Sequence, residues 1–337
     1  MASETKTGVL LVNLGTPDSP SVKDVRSYLT QFLNDKRVID LPYVTRKLLV
    51  NLIIVPFRAK GSSEIYKQLW TDEGSPIIIY GNKVKRLLQE ELPEDYDVHL
   101  AMRYKKPSLP AVLEEMRNKN YDRIIVLPLF PQYASATTGS VQEEVMRIVS
   151  SWWVVPEIKF ISQYYDHPAF IQAWTEIGKK YNHEAYDHII FSYHGLPLRQ
   201  VDKAHLRGTC KDHKCTEETN RENRFCYQAV CYATTRLIAE SLGISKERYT
   251  VAFQSRLDKE WLEPFSDKVV IEKAREGMKK LLVFSPAFTA DCLETIVEIG
   301  IEYQDIFVKE GGEKVQLVES LNEHPMWIEC LKRLVIS

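Results

Sequence analysis

The sequence predicts a doubly wound α/β protein made of two similar halves, and three observations carry that reading. Short, near-continuously apolar runs such as Ile124-Ile125-Val126-Leu127 recur along the chain, as expected of parallel strands covered on both faces. Amphipathic segments with helix-start signals separate these runs. The runs fall into two sets of four on either side of about residue 165, and strand alternating with helix in this way implies parallel sheets flanked by helices.

Taken in order, the first four strands are expected at 8–14, 98–104, 123–129 and 157–162. The second four are expected at 188–193, 249–254, 280–285 and 315–318. A helix over 21–33 follows the turn-forming run Thr16-Pro17-Asp18-Ser19-Pro20. Another, over 110–118, starts just after Ser108, a suitable N-cap, with a proline in the first turn. A last helix over 325–336 is expected to fold back across the first half. The domains are therefore set at 1–165 with the C-terminal helix 322–337, and at 166–321.

Composition narrows the partners. In 337 residues, 44 basic and 46 acidic side chains leave a net charge of -2, so no global field draws in nucleic acid, and none is expected as a partner. The short polar N-terminus has no apolar secretory core, which points to a cytoplasmic protein. A monomer or a homodimer is expected, with the sequence favouring neither. The apolar run 48–57 contains Asn51 and Pro56 and is too short to span a bilayer. Flanked by Arg46, Lys47, Arg58 and Lys60, it reads either as an exposed edge in peripheral contact with a membrane or as a buried helix. GxGxxG, P-loop, HExxH and GxSxG patterns are all absent, so nicotinamide, phosphoryl-transfer, zinc-protease and α/β-hydrolase chemistry lack their usual residues.

In open α/β sheets ligands sit beyond the carboxyl ends of the strands, and four segments stand out there. In Phe191-Ser192-Tyr193-His194-Gly195-Leu196-Pro197 a histidine closes an apolar strand just before a turn. Its imidazole can ligate a metal, accept a proton near neutral pH, or simply cap the turn. Asp291, Glu294, Glu298 and Glu302, spaced by three, four and four, would share one face of an otherwise apolar helix. No lysine or arginine between them offsets the repulsion, which favours a cation route or proton relay over a solvated acidic face. The loop Pro131-Gln132-Tyr133, running into Ala134-Ser135-Ala136-Thr137-Thr138-Gly139-Ser140, carries hydroxyls that either bind a ligand or cap the next helix. Cys210, Cys215, Cys226 and Cys231 form a cluster that can hold zinc or a [2Fe–2S] centre, with His205 and His213 near enough to replace a cysteine. Four isolated buried thiols are the alternative.

These segments together resemble the ferrochelatase family over nearly the whole chain. The matching stretches are Gly8 through Pro17, Gly74-Ser-Pro-Ile77, Arg103-Tyr104, Pro131-Gln-Tyr133 with Thr137 through Ser140, Phe191 through Pro197, and Ala287 through Asp291 with Glu294-Thr295. The resemblance implies two Rossmann-like domains around a porphyrin cleft. It also implies a lyase that inserts Fe²⁺, its substrate, into protoporphyrin IX to give protohaem and two protons. His194 matches the family's active-site histidine and Glu294 its acidic partner, both at the metal. Asp291, Glu298 and Glu302 match the acidic row leading from the metal site, on a helix widened by a π-bulge. Leu14, Arg103, Tyr104, Ser140 and Trp261 match porphyrin-lining positions, and Cys292 is taken as pocket lining. By resemblance to bacterial members with an internal cysteine group, Cys210, Cys215, Cys226 and Cys231 are assigned to a [2Fe–2S] cluster, with zinc as the alternative. The run 48–57 corresponds to the family's lip over the cleft. Other readings are a chelatase for coproporphyrin III or another metal, and a haem or iron–sulfur sensor without catalysis.

Overall fold

The computed structural model describes residues 5–337. Eight strands form two four-stranded sheets: β1 (Thr7–Asn13), β2 (Tyr96–Met102), β3 (Arg123–Pro128) and β4 (Glu157–Phe160) in the order β2-β1-β3-β4, then β5 (His188–His194), β6 (Tyr249–Gln254), β7 (Lys280–Phe284) and β8 (Lys314–Leu317) in the order β6-β5-β7-β8. Every pairing is parallel, as the continuous apolar runs require. The expected strands are all present, with ends shifted by a residue or two.

Two of the helices start where a serine side chain satisfies an open N–H group. Ser21 accepts from the Asp24 amide at 3.2 Å ahead of Val22–Leu33, and Ser108 accepts from the Ala111 amide at 3.4 Å ahead of Leu109–Asn118. In the first sheet's core, Leu10, Val12 and Val126 pack with Leu113, Met116, Val141 and Val145 of the helices Leu109–Asn118 and Ser140–Val149. In the second, Ile190, Val283, Val270 and Phe307 do the same work.

The chain divides into two compact units, one of residues 1–130, 135–163 and 331–337, the other of 131–134 and 164–330. The last turn of Pro325–Ile336 belongs to the first unit, where Lys332 pairs with Glu91 at 3.0 Å.

The run 48–57 is not a buried helix. Leu49–Ile54 is a π-helical turn inside a helical stretch from Tyr43 to Leu69. Val50 and Val55 anchor it, while Leu52 (65% exposed) and Phe57 (81% exposed) face out. No helix among the described residues is long and apolar enough to cross a membrane.

Candidate active site and metal centre

In the second unit β5 ends at His194, and the chain turns immediately because Gly195 donates its N–H to the Gln254 carbonyl at 2.8 Å. A Cβ at Gly195 would stand 2.8 Å from that same oxygen, so the turn needs glycine. His194 Nδ1 lies 2.6 Å from the Gly195 carbonyl oxygen, which only accepts; the ring proton therefore sits on Nδ1. In the neutral ring this leaves the lone pair on Nε2, which has no hydrogen-bond partner among the described residues. Trp261 and Phe288 flank the imidazole, each with its ring centroid 6.5 Å away, and a bridge to Pro197 fixes Trp261.

The acidic residues do not all lie on one helix. Asp291 stands ahead of it: its backbone N–H donates to the Asn322 side chain at 2.9 Å, and its carboxylate accepts from Asn322 Nδ2 at 2.8 Å and the Ser320 amide at 3.0 Å. The apolar spacing could not foresee this lock, because its partners lie about thirty residues along the chain. The following helix, Glu294–Tyr303, is π-helical through all of its turns, with i→i+5 bonds that widen it. Its carboxylates run from half-buried Glu294 through half-buried Glu298 to exposed Glu302.

Each carboxylate meets different company. Glu294 lies against Cys292, whose thiol is pushed up by burial and by that neighbouring negative charge. Glu298 accepts from Gln254 Nε2 at 3.0 Å, the Ser255 amide at 2.9 Å, Ser255 Oγ at 2.5 Å and Tyr303 Oη at 3.1 Å, which occupies both its oxygens. Glu302 is held above its ordinary carboxylate range by desolvation and by the Glu298 charge.

Gln254 is a functional residue that sequence reasoning missed. Its carbonyl takes the Gly195 N–H, and its amide donates to the Glu294 carbonyl at 2.9 Å as well as to Glu298. Ser192 donates to its side-chain oxygen at 2.7 Å. One buried side chain thus ties the histidine turn to the start of the acidic helix. The only sequence signal was its place at the end of an expected strand.

In the first unit the ends of β1 and β2 meet. Arg103 and Tyr104 donate backbone N–H groups to Asn13 and Leu14 carbonyls at 2.8 and 2.9 Å. Gly15, at φ +108°, makes this possible, since a Cβ there would fall 1.9 Å from the Tyr104 carbonyl oxygen. Arg103 Nε donates to Ser140 Oγ at 2.7 Å, so two expected pocket residues do touch. What gathers them is Asp35, which sequence reasoning passed over. Its Oδ2 accepts from Arg103 Nη2 at 2.8 Å, Tyr104 Oη at 2.9 Å and Ser140 Oγ at 2.6 Å, and its Oδ1 accepts from the Arg37 amide at 2.7 Å. Burial alone would raise the Asp35 carboxyl, but these donors outweigh it and hold the group below its ordinary range. Burial and the Asp35 charge push the Tyr104 phenol far up, so it stays a donor. A cavity of about 620 Å³ opens beside this network, lined by Lys23, Arg26, Lys47, Asp35, Arg103 and Tyr104.

The cysteines assemble differently from the expected set. Cys210, Cys215 and Cys226 come together with His205, all buried, with their ligand atoms within 4.8 Å of one another, a group able to hold a metal ion. Cys231 is not among them. It lies within the helix Tyr227–Leu242, beside Tyr227, and burial pushes its thiol well up.

The ferrochelatase family model matches residues 6–337. A ferrochelatase of Coxiella burnetii (strain CbuK_Q154) is 42% identical over 335 residues, spanning 98% of this chain and 94% of the relative. One from Legionella pneumophila (strain Lens) is 41% identical over 329 residues, 97% of this chain and 98% of its own. Among solved structures, the sirohydrochlorin chelatase SirB from Bacillus subtilis subspecies spizizenii in complex with cobalt is similar in fold, with a TM-score of 0.54 at 11% identity over 98% of this chain and 94% of its own. With a match along nearly its whole length, at such identity to relatives of nearly equal extent, the chain belongs to the ferrochelatase family.

Proposed function

We propose that this chain inserts ferrous iron into protoporphyrin IX, with His194 as the proton acceptor and Glu294 as its acidic partner. The observation that carries the reading is the 2.6 Å contact of His194 Nδ1 with the Gly195 carbonyl: in the neutral ring it commits the proton to Nδ1 and presents a bare Nε2 at the end of a strand. A free-base porphyrin has two pyrrole N–H groups, and both protons leave when the divalent ion binds the four ring nitrogens. A neutral imidazole is matched to that task near neutral pH. The balance is one porphyrin and one Fe²⁺ in, one protohaem and two protons out.

On this reading the acidic row is a proton exit. Glu298 already has both oxygens engaged by four donors, a poor starting point for ligating iron but a good one for passing a proton along hydrogen bonds. Glu302 ends the row in solvent, with a carboxyl raised toward protonation. Asp291 serves the row by fixing the loop ahead of it.

Leu14, Arg103, Tyr104 and Ser140 are assigned to the macrocycle in the first unit and Trp261 in the second. The cationic lining of the neighbouring cavity suits the anionic carboxylate arms of the porphyrin. The exposed apolar turn at Leu52, Ile53 and Phe57, with Arg58 and Lys60 beside it, suits peripheral contact with the membrane that holds a poorly soluble substrate. The buried donors of the 205–226 segment form a resident metal site apart from the substrate iron.

The test follows free-base fluorescence as Fe²⁺ is added under anaerobic conditions. Wild type should quench it, with His194→Ala and Glu294→Gln strongly impaired. Equal rates in all three proteins would remove this site.

A further inference from the structure

We infer that the 202–226 segment is organised by a single tetrahedral zinc ion bound to His205, Cys210, Cys215 and Cys226, and that Cys231 has no part in it. The inference rests on the resident-metal reading above and decides the ligand set and the ion.

Between Lys203 and Cys226 the buried residues are His205, Cys210, Cys215, Asn223 and Cys226, and no others. No aliphatic side chain of this stretch is buried: Leu206 faces outward, and Phe225, 39% exposed, meets Tyr133 in an edge-on contact. Its regular structure amounts to one short turn, Cys210–His213. A segment of this length that buries only metal-ligating side chains and one amide has no hydrophobic core to hold it, and an ion is the remaining way to fold it.

Cys210 Sγ and Cys226 Sγ are 3.3 Å apart, and Cys215 Sγ lies 3.8 Å from His205 Nε2. The first separation is far beyond the ~2.05 Å of a disulfide, and none of Cys210, Cys215, Cys226 and Cys231 is in a disulfide. Four donors around one zinc, at about 2.3 Å for sulfur and about 2.0 Å for nitrogen, stand roughly 3.5–3.8 Å from one another. A two-iron, two-sulfide cluster instead divides its ligands into pairs at opposite ends, so atoms of different pairs lie farther apart. A group drawn in to within 4.8 Å throughout fits the single ion and does not fit the cluster. A Cys₄ cluster would also need Cys231, which is outside the group.

Surrounding residues hold these ligands in place. The His205 ring stacks on His213, with centroids 4.4 Å apart and planes 9° off parallel, and this points Nε2 at Cys215. Asn223 donates to Cys215 Sγ at 3.7 Å and to the His213 and Glu218 carbonyls at 3.2 and 3.0 Å. The Cys210 amide donates to Asp202 at 2.8 Å. Cys226 stands at the N-terminal boundary of the helix Tyr227–Leu242, so the ion would fasten the whole insert to the start of that helix.

Metal and acid-labile sulfide are to be measured on full-length protein purified anaerobically, together with its visible spectrum. One zinc per chain, no sulfide and no colour are expected. Cobalt exchanged into the site should give the absorption of a tetrahedral thiolate complex. Cys231→Ala should keep one zinc, and His205→Ala should bind zinc at least tenfold more weakly. Stripping the metal should speed tryptic cleavage at exposed Arg207, Lys211, Lys214, Arg221 and Arg224 by about tenfold or more. Two irons with two sulfides per chain, a metal-free folded protein, or zinc lost from Cys231→Ala but kept by His205→Ala would each overturn the inference. If the substitutions disturb folding, the metal and sulfide content of the unaltered protein still decides it. Ferrous insertion assayed on the same preparations keeps the two readings apart, because turnover can fail with zinc in place and zinc can be absent with turnover intact.

Discussion

Both units carry the same strand order, with the first strand of each lying second from the sheet edge, yet their strand ends hold opposite chemistry. Past β1 and β2 the polar groups close on one another: Asp35 gathers Arg103, Tyr104 and Ser140 into one hydrogen-bonded network. Past β5 the imidazole is held from one side only, and Nε2 is left bare beside two aromatic rings. The same scaffold thus presents a closed network, suited to holding shape, and an unsatisfied base, suited to taking a proton. A buried network is rigid because breaking any member strands the others. A base works because its last hydrogen bond is kept for the substrate.

Substitutions can break this contrast in order of expected effect. His194→Ala should lower ferrous insertion by roughly 10²–10⁴-fold, the usual range for a general base, while thermal unfolding stays near that of wild type. Gly195→Ala keeps the imidazole but forces the turn away from the Gln254 carbonyl, and misplacement on the order of 1 Å should cost about 10²-fold in rate. An activity equal to wild type would show that the turn does not aim the ring.

On the other side, Asp35→Asn should cost stability more than chemistry. It leaves Arg103 half-buried and short of its counter-charge, a loss of about 3 kcal/mol measured by denaturant unfolding. The pH profile sharpens the point. Because the folded Asp35 carboxyl lies below its ordinary value of 3.8, its stabilisation is complete above that pH and disappears as pH falls through the folded value. Wild type should therefore lose stability on acidification from about pH 4 downward more steeply than Asp35→Asn, and parallel curves would contradict the network's role.

The smallest effect is expected at Glu302. Its carboxyl is held above its ordinary range, so the charged form is disfavoured in the folded state at neutral pH. Glu302→Gln should raise the unfolding free energy at pH 7 slightly, by no more than about 0.5 kcal/mol for this exposed group, and slow proton release if the row is the exit.

Much of this was legible in the chain. Strands buried on both faces are largely apolar, so β3 and β5 declare themselves by Ile124-Ile125-Val126-Leu127 and Ile189-Ile190-Phe191. His194 and Glu294 could be singled out because one ends a strand before a glycine and the other lies on an apolar helix without cations. Asp35 and Gln254 were not legible, since an aspartate after a helix and a glutamine at a strand end are ordinary residues until partners arrive. Those partners, Arg103 and Ser140 for one and Gly195 and Glu294 for the other, lie 40 to 105 residues away.

The cysteine segment marks the boundary most sharply. The sequence alone determined that thiols crowd into 210–231 and that a metal is the natural reason. Only the tertiary structure decided which ones converge. Cys226 stands at the start of a helix and faces back toward Cys210, whereas Cys231, five residues on, is carried about 140° around the axis and into the helix's buried face. His205 takes the fourth place because its ring is stacked on His213 and turned toward Cys215. Residue type and spacing fix which chemistry is available, but the direction of a side chain depends on contacts distant in the chain, and that direction selects the ligands.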